Sequence, residues 1–272
     1  MSIIWRYAFI SIVCIAVPVT AKELTLLYTN DIESVYEPVT AFWLADVERV
    51  GGIANLSTLI NEVRLHEPIS LLLDAGDIFT GSLSKATLGK LAFDIYSAMG
   101  YDAVNLGNHE FEYGSDALRN AMQRARFPVL SANIFYSGTD VTLAQSYTIR
   151  EVAGVRVGII GAMGIDAFIN TMMASNRAGL EVRSLKDMIQ PLVDQIRDEV
   201  DMVVILTHQN ATAPMQTDKE ADPEVQRGYL EDYELAGQLK GVDMIIGGHS
   251  DHGLWQPVVH PDTGTYIGMT IG

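Results

Sequence analysis

The sequence predicts an α/β domain with two sheets packed between helical layers, and three features carry that prediction. Short apolar strands alternate with amphipathic helices along most of the chain. A turn signal at Ala153-Gly154, set between two apolar runs, makes a hairpin and so mixes antiparallel pairing into the sheets. No linker or internal repeat divides the 272 residues, a length that suits one large domain or two small ones at roughly 150 residues each. Apolar residues at 48%, charged residues at 19% and only 9 Pro exclude disordered and fibrous classes. Lys+Arg 18 against Asp+Glu 34 gives a net charge of −16, which leaves no basic surface for polymeric nucleic acid or anionic lipid. The same field repels small anions, so a site for them needs a metal or a strong donor cluster.

The elements follow in order. Residues 1–21 read as a secretory signal: Arg6 supplies the positive start, Tyr7 to Val17 the apolar stretch, and Val19-Thr20-Ala21 a small-residue cleavage site. That places the mature chain in a periplasm or outside the cell, without stable membrane insertion. Cys14 leaves with the signal, so thiolate metal sites and cysteine nucleophiles are excluded from residues 22–272. Leu24 to Thr29 is a strand, Ile53 to Leu65 a helix, Ile69 to Leu73 a strand and Leu88 to Met99 a helix. Ala103 to Asn105 is a short strand, Ser115 to Arg126 a helix capped by its Ser, and Val129 to Ser131 a strand. The hairpin joins Thr148–Val152 to Val155–Ala162. Leu185 to Val200 is a helix, Met202 to Thr207 a strand, Tyr233 to Leu239 a helix and Met244 to Ile246 a strand. Val258 with Tyr266 to Thr270 makes a closing hairpin, and Gln216 to Asp232 reads as an acidic, solvated insertion. The chain stops at Ile271-Gly272 on a strand, which suggests a fragment of a longer protein.

The chemistry lies where strands end. Five ends carry Asp31 and Glu33, Asp77, Asn108-His109-Glu110, His208, and His249-Ser250-Asp251. Ligands in α/β sheets bind outside the carboxyl ends of strands, so these side chains are expected to converge on one crevice. Oxygen and imidazole donors without thiolate suit Zn, Mn, Fe or Mg, and the donors outnumber what one tetrahedral ion can use, which points to two ions. His66 and His260 lie outside these runs and read as surface residues.

The motifs resemble those of the calcineurin-like metallophosphoesterases and, within them, the exported 5'-nucleotidase and UDP-sugar hydrolase family. Asp77 in its Gly-Asp pair, the run Gly107-Asn108-His109-Glu110 and the run Gly247-Gly248-His249-Ser250 carry the resemblance, with Thr29-Asn30-Asp31, Gly51-Gly52 and Ser131-Ala132-Asn133-Ile134. It extends from about Leu24 to the end and implies a four-layer αββα sandwich with two mixed sheets, hydrolysing phosphate esters of nucleotides. It implies that Asp77 bridges two ions, with Asp31 on the first and Asn108, His208 and His249 on the second. His109 then corresponds to the catalytic histidine beside the metals, and Glu112 stands where the family has the Asp that orients this ring. Glu33 and Asp251 replace histidines of the first metal site, which makes that site oxygen-rich and suited to Mn or Mg, while the second accepts Zn or Mn. His252 is an alternative donor to Asp251. Full-length members continue into a nucleoside-recognising domain that has no counterpart here. The alternative is a lapsed, nucleotide-binding or structural protein on the same fold; within the enzyme reading, cyclic nucleotide, UDP-sugar and thiosulfonate substrates stay open.

Overall fold

The structure is a computed structural model that describes residues 23–42, 44, 46–210, 228–250 and 253–270. The signal segment, most of the acidic stretch beginning at Gln216, and both Asp251 and His252 lie outside the described residues. In chain order the elements are β1 (Thr25–Thr29), β2 (Val39–Thr40), β3 (Arg49–Val50), α1 (Ile53–His66), β4 (Ser70–Asp74), α2 (Gly81–Thr87), α3 (Lys90–Met99), β5 (Ala103–Asn105) and α4 (Ser115–Met122). Then come β6 (Val129–Leu130), β7 (Ile134–Tyr136), β8 (Tyr147–Val152), β9 (Val155–Met163), α5 (Ile165–Asn170), β10 (Leu180–Val182) and α6 (Leu185–Ile196). The chain closes with β11 (Met202–His208), α7 (Leu230–Gln238), β12 (Met244–Gly247), β13 (Val258–Val259) and β14 (Tyr266–Met269).

Two sheets form the centre. One has the order β1-β4-β5-β6 and the other β13-β14-β12-β11-β9-β8. The first is parallel throughout rather than mixed; within the second, antiparallel pairing is confined to the outer strands β8 and β13, and the two-stranded pairs β2-β3 and β7-β10 are antiparallel. Strand alternation explains the layering, because each central strand is apolar on both faces. Leu72 of β4 and Val104 of β5 pack outward against helices, while Leu71, Leu73 and Ala103 face the other sheet. On the opposite sheet Val203, Ile205 and Ile245 meet α6 and α7, while Val204, Leu206, Met244 and Ile246 turn inward to meet β4 and β9 residues. Helix, sheet, sheet, helix is therefore the arrangement these residues dictate, each buried Leu, Ile or Val contributing about 1.5–3 kcal/mol.

Local chemistry moves several boundaries. The helix expected from Leu88 starts at Lys90, because Leu88 (φ 51°) and Gly89 (φ 77°) are left-handed and separate α2 from α3. The cap of α4 is Gly114, with φ 86°, and Ser115 is the first helical residue rather than the cap. Ser184 does cap α6, accepting from the Asp187 N–H at 3.4 Å. Between β8 and β9, Ala153 (φ 50°) and Gly154 (φ 75°) give the two consecutive left-handed residues of a tight hairpin turn. Among the described residues no helix is long and apolar enough to cross a membrane.

Candidate metal centre

The parallel strands β1, β4, β5, β11 and β12 deliver their carboxyl ends to one edge of the sandwich. There Asp31 (φ 52°), Glu33 (φ 47°), Asp77 (φ 59°) and His249 (φ 82°) all adopt the left-handed region. This backbone is costly for residues with a Cβ, on the order of 1–3 kcal/mol each, and persists only where the surroundings fix it. Hydrogen bonds between strand ends do so. Asp31 N donates to Gly76 O at 3.0 Å and Glu33 N to Asp77 O at 2.9 Å, while His249 N donates to the Asp31 carboxylate at 2.9 and 3.1 Å. Asn30 adds a tie between the sheets, donating to Thr270 O at 2.9 Å and accepting from Thr270 N at 2.9 Å.

Asp77 is the hub. Its Oδ2 lies 2.9 Å from His208 Nε2, and its Oδ1 accepts the His109 N–H at 2.7 Å. His208 Nε2 also lies 3.1 Å from Asn108 Oδ1 and 3.9 Å from Asp31 Oδ1. Because Ala75 O can only accept, His208 Nδ1 at 3.0 Å must donate to it, and this turns Nε2 toward the carboxylates. Two donor groups result, each with its ligand atoms within 4.8 Å of one another: Asp77 with His208 and His249, and Asp77 with Glu33 and His109.

Electrostatics mark the same place. Burial raises Asp31 to about 6 against the attraction of His208, and raises Glu110 to about 7. Burial opposes a charge on His208, yet Asp77, Asp31 and Glu110 outweigh it and lift the imidazole to about 10. Burial and the His208 charge push His249 down to about 4, leaving a neutral imidazole able to donate its lone pair. The ion pairs of Asp31 and Asp77, among the described residues, are with histidine alone. Buried carboxylates sharing protons with imidazoles constitute a donor set that fits divalent cations.

Glu110 closes the motif at 107–110, where the sequence assigns it no role separate from its neighbours. It is buried and accepts three backbone N–H groups, from Gly107 at 2.6 Å, Ile78 at 2.8 Å and Asp77 at 2.9 Å. It thereby locks the turn after β4 to the turn after β5. A Cβ at Gly107 would collide with the Asp77 carboxylate, and one at Gly76 would stand 2.9 Å from His208 Nδ1. Gly107→Ala is accordingly expected to displace Asp77 and weaken metal binding at least tenfold. Calorimetric titration of the metal-free chain measures this, and an unchanged affinity would contradict the steric argument.

His109 Nδ1 lies 2.7 Å from Glu112 Oε1, which also accepts from Thr80 Oγ1 at 2.6 Å. Its Nε2 lies 3.4 Å from Glu33 Oε1. Burial lowers this histidine's basicity, but Asp77, Glu112 and Glu33 outweigh it and raise its pKa above the usual value.

The calcineurin-like phosphoesterase pattern matches residues 24–252. The chain belongs to that family. Among its curated relatives, bovine (Bos taurus) 5'-nucleotidase is 30% identical over 236 residues, covering 84% of this chain and 38% of the relative. A snake venom 5'-nucleotidase of Gloydius brevicauda is 31% identical, covering 88% of this chain and 39% of its own. The chain thus spans well under half the length of these relatives. A 5'-nucleotidase precursor from Thermus thermophilus superposes with a TM-score of 0.72 at 29% identity, covering 91% of this chain and 48% of that one. Haemophilus influenzae NAD nucleotidase shares the fold, with a TM-score of 0.73 at 21% identity, covering 92% and 50%.

Beside His109 this phosphoesterase domain opens a cleft of about 560 Å³, lined by Asn108, His109, Lys85, Tyr113, Met172 and Asn176 among others. Among the described residues that line it, Lys85 is the one Lys or Arg side chain. Two expectations about the surroundings are corrected. His260 is buried rather than on the surface, because Tyr233 packs on its ring at 4.6 Å between centroids and Gly237 leaves room for it; His66 is exposed. Asp232, read as the end of a solvated loop, lies fully buried inside α7, which begins at Leu230.

Proposed function

We propose that the chain is an exported, metal-dependent phosphoesterase that hydrolyses phosphate monoesters of nucleotides in the manner of the 5'-nucleotidases among its relatives. The observation that carries this reading is Asp77, shared by the two donor groups around it. In the proposed arrangement Asp77 would be shared by two divalent ions, Asp31, Glu33 and Asp251 would hold the first, and Asn108, His208 and His249 would hold the second. The first is Mn or Mg by its oxygen donors, and His252 is the alternative donor there. Bound ions would supply Lewis acidity at the phosphoryl oxygens and an activated water. The chain's own part is positional: Ala75 O fixes the His208 ring, Glu112 holds His109 Nδ1, and His109 Nε2, 3.4 Å from Glu33 Oε1, is the ring nitrogen left for proton donation to the phosphoryl oxygen or leaving group. The carboxylate that Glu112 sets 2.7 Å from His109 Nδ1 favours an enzyme over a lapsed scaffold.

The test is hydrolysis of AMP and of a chromogenic phosphate monoester by the full chain, before and after chelation, with Mn, Zn and Mg added back singly. Chelation should abolish turnover and Mn should restore it; turnover indifferent to chelator, or none with any ion, overturns the proposal. Lys85 offsets the net charge of −16 locally at the cleft without touching the reacting groups named above. Lys85→Ala should therefore raise KM a few-fold, more at low salt, with kcat retained, as steady-state kinetics at two ionic strengths will show.

A further inference from the structure

Asp232 lies on α7, away from the chemistry just described, yet its contacts surround one of the candidate ligands. Both carboxylate oxygens are occupied: Oδ1 accepts from Thr207 Oγ1 at 2.6 Å and Gln209 Nε2 at 2.8 Å, and Oδ2 accepts from Asn210 Nδ2 at 2.5 Å. Its own N–H donates to Asn210 Oδ1 at 3.2 Å. Thr207 and Gln209 are the immediate neighbours of His208, and strand alternation sends Thr207 to the helical layer while His208 faces the metal centre. The same carboxylate presses on a second strand end. A Cβ placed on Gly247 would clash with Oδ2, and Gly247 precedes His249 by two residues.

We propose that Asp232 is the positioning residue that fixes His208 and His249 relative to one another. A single buried carboxylate clamps the end of β11 from both sides of His208 and seats the end of β12 against it. The two imidazoles, 5.0 Å apart between ring centroids, are thus held by a group that touches neither ring. This rests on the metal-binding reading above. Partners that orient ligands from behind them cost about 10–100-fold in metal affinity when removed.

The experiment is Zn titration of the metal-free full chain, followed by calorimetry and by the imidazole resonances of His208 and His249. Wild type, Asp232→Asn and Asp232→Ala are compared with Val193→Ala, a core truncation on α6 that destabilises without approaching the strand ends. Asp232→Asn keeps the volume but replaces an acceptor by a donor where only donors arrive. Expected is a loss of about 10-fold in Zn affinity for Asp232→Asn and about 100-fold for Asp232→Ala, with separate, broadened imidazole signals and wild-type affinity in Val193→Ala. Wild-type affinity in Asp232→Asn overturns the inference, as does an equal loss in Val193→Ala, which would make the effect one of general stability. Failure of both imidazoles to respond to Zn in the wild-type chain removes instead the metal-site reading beneath it.

Discussion

Asp77→Asn is expected to reduce turnover by at least about 10³-fold and to weaken both metal ions together. The substitution is nearly isosteric, so the fold should survive it: the remaining amide oxygen can still accept the His109 N–H that Oδ1 accepts at 2.7 Å. The damage falls on the other atom. Oδ2 is 2.9 Å from His208 Nε2, and an amide NH₂ there offers no lone pair to a cation and opposes any proton on the ring. In the absence of metal the Asp77 charge also helps lift His208 to about 10, so the mutant imidazole should titrate lower. A ligand serving one ion would cost only that ion, whereas Asp77 belongs to both donor groups. Metal content and affinity are to be measured alongside rate. One ion kept at wild-type affinity, or turnover within tenfold of wild type, would show that Asp77 does not bridge.

Strand ends were legible because parallel pairing has a physical consequence that sequence displays: runs such as Leu24–Thr29 and Met202–Thr207 finish in polar residues, and parallel strands finish on the same side. That brings Asp31, Asp77 and Asn108 together on one sheet and His208 and His249 on the other, and contacts between the sheets such as His249 N to the Asp31 carboxylate join the two sets. Glu110 was harder to read, because its partners are backbone N–H groups, including Asp77 and Ile78 from another turn, and backbone partners leave no residue type to recognise. Asp232 was hidden for a different reason. Its acidic neighbourhood looks solvated, and only the approach of α7 to the end of β11 reveals that three side-chain donors await it. The helix expected from Leu88 starts two residues later because Leu88 keeps the apolar spacing of α3 while its backbone and that of Gly89 are left-handed. His260 was misplaced because burial of an imidazole depends on Tyr233 and Gly237, residues more than twenty positions away.

His109→Ala should lower kcat by about 10²–10⁴-fold, the range expected for removing a positioned proton donor, while leaving metal stoichiometry intact. The experiment separates the two effects, since His109 shares a donor group with Glu33 and Asp77. Its Nδ1, however, is engaged 2.7 Å from Glu112, and its Nε2 faces Glu33 at 3.4 Å. Carboxylates on both sides suit a ring that carries a proton, and their attraction, with that of Asp77, raises its pKa despite burial. The sign of the pH dependence follows. A proton donor is active in its charged form, so activity is present below the raised pKa and is lost as pH rises through it. Glu112→Gln removes one raising contribution, and the alkaline limb of kcat should move to lower pH without loss of metal. His109→Ala should abolish that limb. Loss of an ion together with activity in His109→Ala would instead make the ring a ligand, and an alkaline limb unmoved in Glu112→Gln would show that it belongs to another group.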